Sequence, residues 1–160
     1  MKRVKFSPIR RLFLPNYIAV IGASHTKGKI GHTIVNNILS GGYTGTVYPI
    51  NPKGGELLGL KVYKAIEDIT EEIDLVTITV PAKFVLQTVE SCASKGVKYI
   101  QIITSGFSEV GNREEENKIV SIARNSGIRI LGPNIFGIYS AACNMNATFS
   151  ASKIKAGHVA

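Results

Sequence analysis

Short β-branched runs alternate with helical stripes along most of this chain, and glycine or proline follows each run within two residues. Tyr17 to Ile21 stops at Gly22, and Ile30, Ile34, Ile38 and Leu39 then recur at helical spacing before Gly41 and Gly42. A run of consecutive apolar residues only a few long fits a strand covered on both faces, whereas an i, i+4 stripe fits a helix with one face buried. Thr46 to Ile50 is the second strand and ends at Asn51 and Pro52; a shorter helical piece is expected over residues 63–69, and residues 74–80 form the third strand. Pro81 suits the first turn of a helix whose stripe is Val85, Leu86, Val89 and Ala93, closed by Gly96. Residues 99–104 are the fourth strand, residues 112–125 a helix carrying Ile119, Ile122 and Ala123, and residues 128–131 the fifth strand before Gly132, Pro133 and Asn134.

The resulting βαβαβαβαβ order predicts an α/β chain: a Rossmann-like, doubly wound, mostly parallel sheet of five strands with helices on both faces. With 160 residues there is room for one such domain. We expect a basic N-terminal segment over residues 1–16, the domain over residues 17–138, and a linker with the truncated start of a second domain over residues 139–160. In a sheet of this type ligands meet the carboxyl ends of the strands. The loops at 22–31, 51–55, 81–83, 104–109 and 132–137 should therefore share one rim.

Composition narrows the function classes. Hydrophobic residues make up 44% and charged residues 19%, a balance that supports a packed core. No apolar run reaches the ~18 residues of a membrane span, and the basic opening lacks the apolar centre of a secretion signal; a soluble, cytoplasmic protein is expected. Cys92 and Cys143 have no metal-ligand spacing, and no metal site is expected. The net charge is +8, and its distribution is uneven: eight Lys and Arg residues precede the first acid, Glu56, and every acid lies between Glu56 and Glu116. Such polarity suits an anionic ligand, or a solvated or partner-facing basic end; no helix-turn-helix, zinc-finger or RNP pattern supports nucleic acid.

The first loop, GASHTKGKIG, sets Gly22, Gly28 and Gly31 between a strand and a helix and adds Ser24, Thr26, Lys27 and Lys29. Glycines allow a sharp turn and close approach of backbone to a pyrophosphate, whose charge rests on the helix N-terminus. The spacing is not that of a P-loop. At the end of the second strand an NAD site would place a carboxylate for the ribose hydroxyls. Asn51, Pro52 and Lys53 stand there instead, which favours a ribose phosphate and leaves NADP and coenzyme A. The chemistry beyond binding is thin. His25, His32 and His158 have no metal-spaced partners, Thr104 and Ser105 read as hydroxyl donors of a binding loop, and the Glu114, Glu115, Glu116 run complements a helix dipole. No catalytic residue is assigned.

With these loops placed, the sequence resembles the coenzyme A-binding domain of the ADP-forming acyl-CoA synthetases, relatives of the succinyl-CoA synthetase alpha subunit. The likeness runs over residues 7–149 through GASHTKGKIG, YPINPKGGELLGLKVY, TVPAKF, ITSGFSEVG, GPNIFGIY and NATF in order. The resemblance implies that Gly22, Ala23, Ser24, His25, Thr26, Lys27 and Gly28, with Lys29, hold the phosphates of coenzyme A or acyl-CoA, and that Lys53 sits near the ribose phosphate. It further implies that Val80, Pro81, Ala82 and Lys83, with Ile103, Thr104, Ser105 and Gly106, contact nucleotide and pantetheine, and that Asn134 lies near the thiol end. The implied parent activity is a ligase that converts acyl-CoA, ADP and phosphate to acid, coenzyme A and ATP through an acyl phosphate and a phosphorylated histidine. That histidine belongs to a second alpha-side domain, and ADP to a nucleotide-grasp domain or subunit; an oligomer is expected for the full enzyme. The chain stops at KAGHVA, where the second domain should begin, so His158 does not take that role. Ile135 stands where the family pattern has Cys. The alternatives are a stand-alone regulatory module for coenzyme A or NADP, and the corresponding domain of a protein acetyltransferase.

Overall fold

A computed structural model describes residues 9–150 and Gly157; Lys2, Arg3, Lys5 and His158 lie outside the described residues. A short helix α1 (Arg10–Phe13) leads into β1 (Tyr17–Ile21), α2 (Ile30–Ser40) and β2 (Thr46–Ile50). A small hairpin follows, β3 (Glu56–Leu57) and β4 (Leu60–Lys61), then β5 (Leu75–Ile78), α3 (Val85–Lys95), β6 (Tyr99–Ile102), α4 (Arg113–Ser126) and β7 (Arg129–Leu131). A second hairpin, β8 (Gly137–Ser140) and β9 (Met145–Thr148), completes the described fold. The five long-range strands form one parallel sheet in the order β2-β1-β5-β6-β7. The doubly wound parallel architecture expected from the alternation is the one observed.

Successive residues of each strand feed opposite cores, as the period of two requires. Ala19, Val76, Ile78, Ile100 and Ile102 face Val85, Val89 and Cys92 of α3 and Ile119 and Ala123 of α4. Ile18, Val20, Leu75 and Tyr99 face Ile34, Val35 and Ile38 of α2 together with Ile138, Met145 and Ala147 of the β8–β9 hairpin. Each buried aliphatic side chain contributes about 1.5–3 kcal/mol relative to exposure, so both layers are needed to hold the sheet. Burial also pushes the Cys92 thiol up to about 12, which leaves it inert as a nucleophile.

Two segments differ from expectation. Residues 139–148, read as linker, are folded into the β8–β9 hairpin, and residues 145–148 are buried throughout. Distant polar groups hold it: the buried Gln101 Nε2 donates to Ala147 O at 3.1 Å, and Asn37 Nδ2 donates to Thr148 O at 2.9 Å and Ser150 O at 2.7 Å. Asn146 and Thr148 mask the apolar pattern that would have announced a strand, although both are buried. Residues 63–69 form only one 3-10 turn, Ile66–Asp68. Tyr63 instead extends the sheet edge, its amide donating to Pro49 O and its carbonyl accepting from Asn51 N, both at 2.9 Å. This carries the following residues over the end of β2.

Part of the basic N-terminal segment is tied down. Asp74, only 5% exposed, accepts from the amides of Asn16 (2.8 Å) and Tyr17 (3.2 Å) and pairs with Arg11 at 3.2 Å. Among the described residues no helix is long and apolar enough to cross a membrane.

Candidate ligand cleft at the strand ends

The chain runs from β1 outward to β2 and then returns to the other side of β1 as β5, so the winding reverses between β1 and β5. Such a reversal sends the adjoining connections to opposite faces and opens a crevice beyond the strand ends. Ile21 pairs with Ile50 on one side and with Ile78 on the other, so the three strands finish at one level. A cleft of ≈ 490 Å³ opens there. Its apolar lining is Ile21, Ile50, Pro52, Ile66, Val80, Pro81 and Phe84; its polar lining includes Asn51, Lys64, Glu67, Thr79, Gln87, Thr88 and Ser91. An apolar slot with a few polar groups suits a planar base and its sugar.

The loop after β1 is built from backbone. Gly22 has φ +95°, a conformation side-chain-bearing residues rarely adopt, and the amides of Gly22 and Ala23 both donate to Ile50 O, at 3.0 and 3.1 Å. Asn51 Nδ2 donates to Ala23 O at 3.0 Å, which joins the first two loops of the rim. A Cβ on Gly31 would stand 2.1 Å from Gly22 O, so only glycine lets α2 start this close to the strand. Thr33 N donates to Lys29 O at 2.9 Å, and Lys29 provides no side-chain cap. The amides of the first turn of α2 are thus left for an anion. Ser24 Oγ accepts from Thr26 N at 3.1 Å and shapes the exposed tip that carries His25, Lys27, Gly28 and Lys29.

The remaining residues named from sequence divide into two groups. Gly22, Val80 and Pro81 line the cleft itself. Lys53 is exposed at the tip of a turn in which Lys53 N donates to Asn51 Oδ1 (3.0 Å) and Gly54 N to Asn51 O (2.9 Å). Lys83 is exposed, with its ammonium 4.9 Å from the centre of the Phe84 ring, beside the half-buried Ala82. Ile103 is buried in the core under the second hairpin, so its side chain is withdrawn from the rim. The Thr104 hydroxyl donates to Val80 O at 2.7 Å, and Asn134 N donates to Thr104 O at 3.0 Å; these bonds fasten the ends of β5, β6 and β7 together. Thr104 therefore spends its donor on the fold, while Ser105 is exposed. Beside it, the Glu109 carboxylate accepts from Gly106 N (2.6 Å) and Phe107 N (3.2 Å). Those backbone donors hold the Glu109 carboxyl below the usual carboxylate value.

Lys64, Glu67, Gln87, Thr88 and Ser91 were missed from sequence. Gln87 and Ser91 are four apart on α3, a spacing that puts them on one face, but nothing local separates that face from an ordinary solvated one.

Comparison with known proteins agrees with this geometry. The chain is 46% identical over 158 residues to the alpha subunit of acetate–CoA ligase [ADP-forming] I of Pyrococcus furiosus, covering 95% of this chain and 34% of that protein. It is 48% identical over 142 residues to the acetate–CoA ligase [ADP-forming] of Methanocaldococcus jannaschii, covering 89% of this chain and 20% of that protein. Among solved structures, the dinucleotide forming acetyl-coenzyme A synthetase 1 of Ca. Korarchaeum cryptofilum, in complex with phosphate and ADP, superposes with a TM-score of 0.89 at 47% identity, over 91% of this chain and 32% of that one. The chain thus spans about a third or less of the length of these relatives. The CoA binding domain profile matches residues 16–141, from the residue that precedes β1 through every loop of the rim, and the chain accordingly belongs to the coenzyme A-binding domain family.

Proposed function

We propose that this chain supplies the coenzyme A-binding part of an ADP-forming acyl-CoA ligase and binds without catalysing. The carrying observation is the switch-point cleft, whose apolar slot opens beside a loop that carries Lys27 and Lys29 ahead of the uncapped first turn of α2. In this reading the adenosine lies against Ile50, Pro52, Val80 and Pro81, and the pyrophosphate rests on the 22–29 loop, its charge offset by the first turn of α2, Lys27 and Lys29. Lys53 serves the ribose phosphate. The pantetheine arm then follows residues 103–106 toward Asn134.

The parent reaction converts acyl-CoA, ADP and phosphate to free acid, coenzyme A and ATP. Phosphoryl transfer needs a nucleophile in line with the phosphate and a charge clamp around it. Both come, in our proposal, from a second alpha-side domain and a nucleotide-grasp domain or subunit, assembled in a cytoplasmic oligomer. The role of this chain is to fix the thioester end of the coenzyme at the rim.

Calorimetric titration of the 160-residue chain tests the reading. Coenzyme A should bind more tightly than NAD; equal or tighter binding of NAD would overturn it. The chain alone should form no ATP from acetyl-CoA, ADP and phosphate.

A further inference from the structure

We infer that Lys64, rather than Lys53 alone, is the principal cation that selects a ribose phosphate in this cleft. The inference rests on the coenzyme A reading above and adds a residue that decides ligand specificity. Of the other lysines near the rim, Lys61 stands 4.5 Å from the centre of the Tyr63 ring and Lys83 stands over Phe84, while Lys27, Lys29 and Lys53 are carried on exposed loop tips outside the lining of the cleft. Lys64 makes no ion pair or ring contact among the described residues, and among them it is the one cation in the lining of the cleft.

Its position is built by the fold. The Tyr63 bonds to Pro49 and Asn51 set residue 64 directly beyond the end of β2. There its stem packs over Gly54, where a Cβ would meet Lys64 Cε at 3.3 Å and Cγ at 3.5 Å. The same turn holds Lys53 at its exposed tip, outside the lining. Glu67 lines the same cleft three residues further on. A carboxylate accepts a hydrogen bond from a ribose hydroxyl but repels a phosphate, so the phosphate belongs at the Lys64 end, next to the Asn51 turn. A bare ribose gains from Lys64 only a hydrogen bond to a neutral oxygen, weaker than one to a phosphate.

The test is calorimetric titration of coenzyme A and dephospho-coenzyme A into the wild-type chain, Lys64→Met, Lys64→Arg and Lys53→Met. Methionine keeps the stem over Gly54 and removes the charge, and thermal melts would verify that each variant folds. Lys64 is itself exposed at the mouth of the cleft, so wild type should prefer the phosphorylated ligand severalfold, up to about tenfold, the worth of one partly screened charge-assisted contact. Lys64→Met should lose most of that ratio with little change in dephospho-coenzyme A affinity, Lys64→Arg should restore it, and Lys53→Met should lose less. A ratio unchanged in Lys64→Met, or reduced as much or more in Lys53→Met, would overturn the inference while leaving coenzyme A binding intact. Absence of coenzyme A binding by wild type would overturn the parent reading and this one with it.

Discussion

The loop after β1 and the loop after β6 occupy one rim and are both rich in glycine, yet they have opposite electrostatic character. In the first, Gly22 and Ala23 bond back to β2, and the tip presents Lys27 and Lys29 ahead of the uncapped first turn of α2. In the second, the amides of Gly106 and Phe107 are already held by the carboxylate of Glu109, and the Ser108 amide by Glu116 at 3.0 Å. A phosphate approaching the second loop would meet two carboxylates and few spare donors. Glycine content therefore marks where a chain turns tightly, and the partners of the amides determine whether that turn can take an anion.

The largest effect should come from breaking the second loop at its anchor. Phe107 is fully buried, so Phe107→Ala should lower stability in urea unfolding by about 3–5 kcal/mol. The fraction still folded should bind coenzyme A through the first loop; loss of binding at matched folded fraction would mean that the two loops are not separate in function. Gly31→Ala attacks the first loop with a single methyl group. The backbone must move to admit it, which should cost about 1–3 kcal/mol and weaken coenzyme A binding as well. Wild-type affinity in Gly31→Ala would remove the α2 first turn from the anion site.

The smallest effect is a titration. Because the folded carboxyl of Glu109 lies below its ordinary value of 4.5, its hold on the loop is complete above that pH and is lost as the pH falls through the lower folded value. The Gly106 amide resonance should move in that acid window, whereas the amides of the first loop should not follow it. In Glu109→Gln the movement should vanish, and its persistence would assign the titration to another group.

Much of the fold was legible because it is local. β-branched runs closed by glycine or proline marked the five parallel strands, and the stripes in α2, α3 and α4 marked the covering helices. The β8–β9 hairpin was not legible: its strands carry Asn146 and Thr148, and it is held by Gln101 and Asn37, far away in sequence. The candidate site divides the same way. Gly22, Val80 and Pro81 were named from motifs and line the cleft, whereas Ile103 is turned into the core and Lys83 toward a ring.

The order of amino acids determined the alternation of strand and helix, the sharp turn at Gly22 and the absence of a carboxylate where β2 ends, since each depends on a few neighbouring residues. Only the tertiary structure decided which side chains surround the cleft. Its walls come from the ends of β1, β2 and β5, from residues 64–67 and from α3, segments brought together by the reversal of winding between β1 and β5. Lys64 entered that wall because Tyr63 pairs with the sheet edge, a long-range hydrogen-bonding choice that no local pattern around residue 64 encodes.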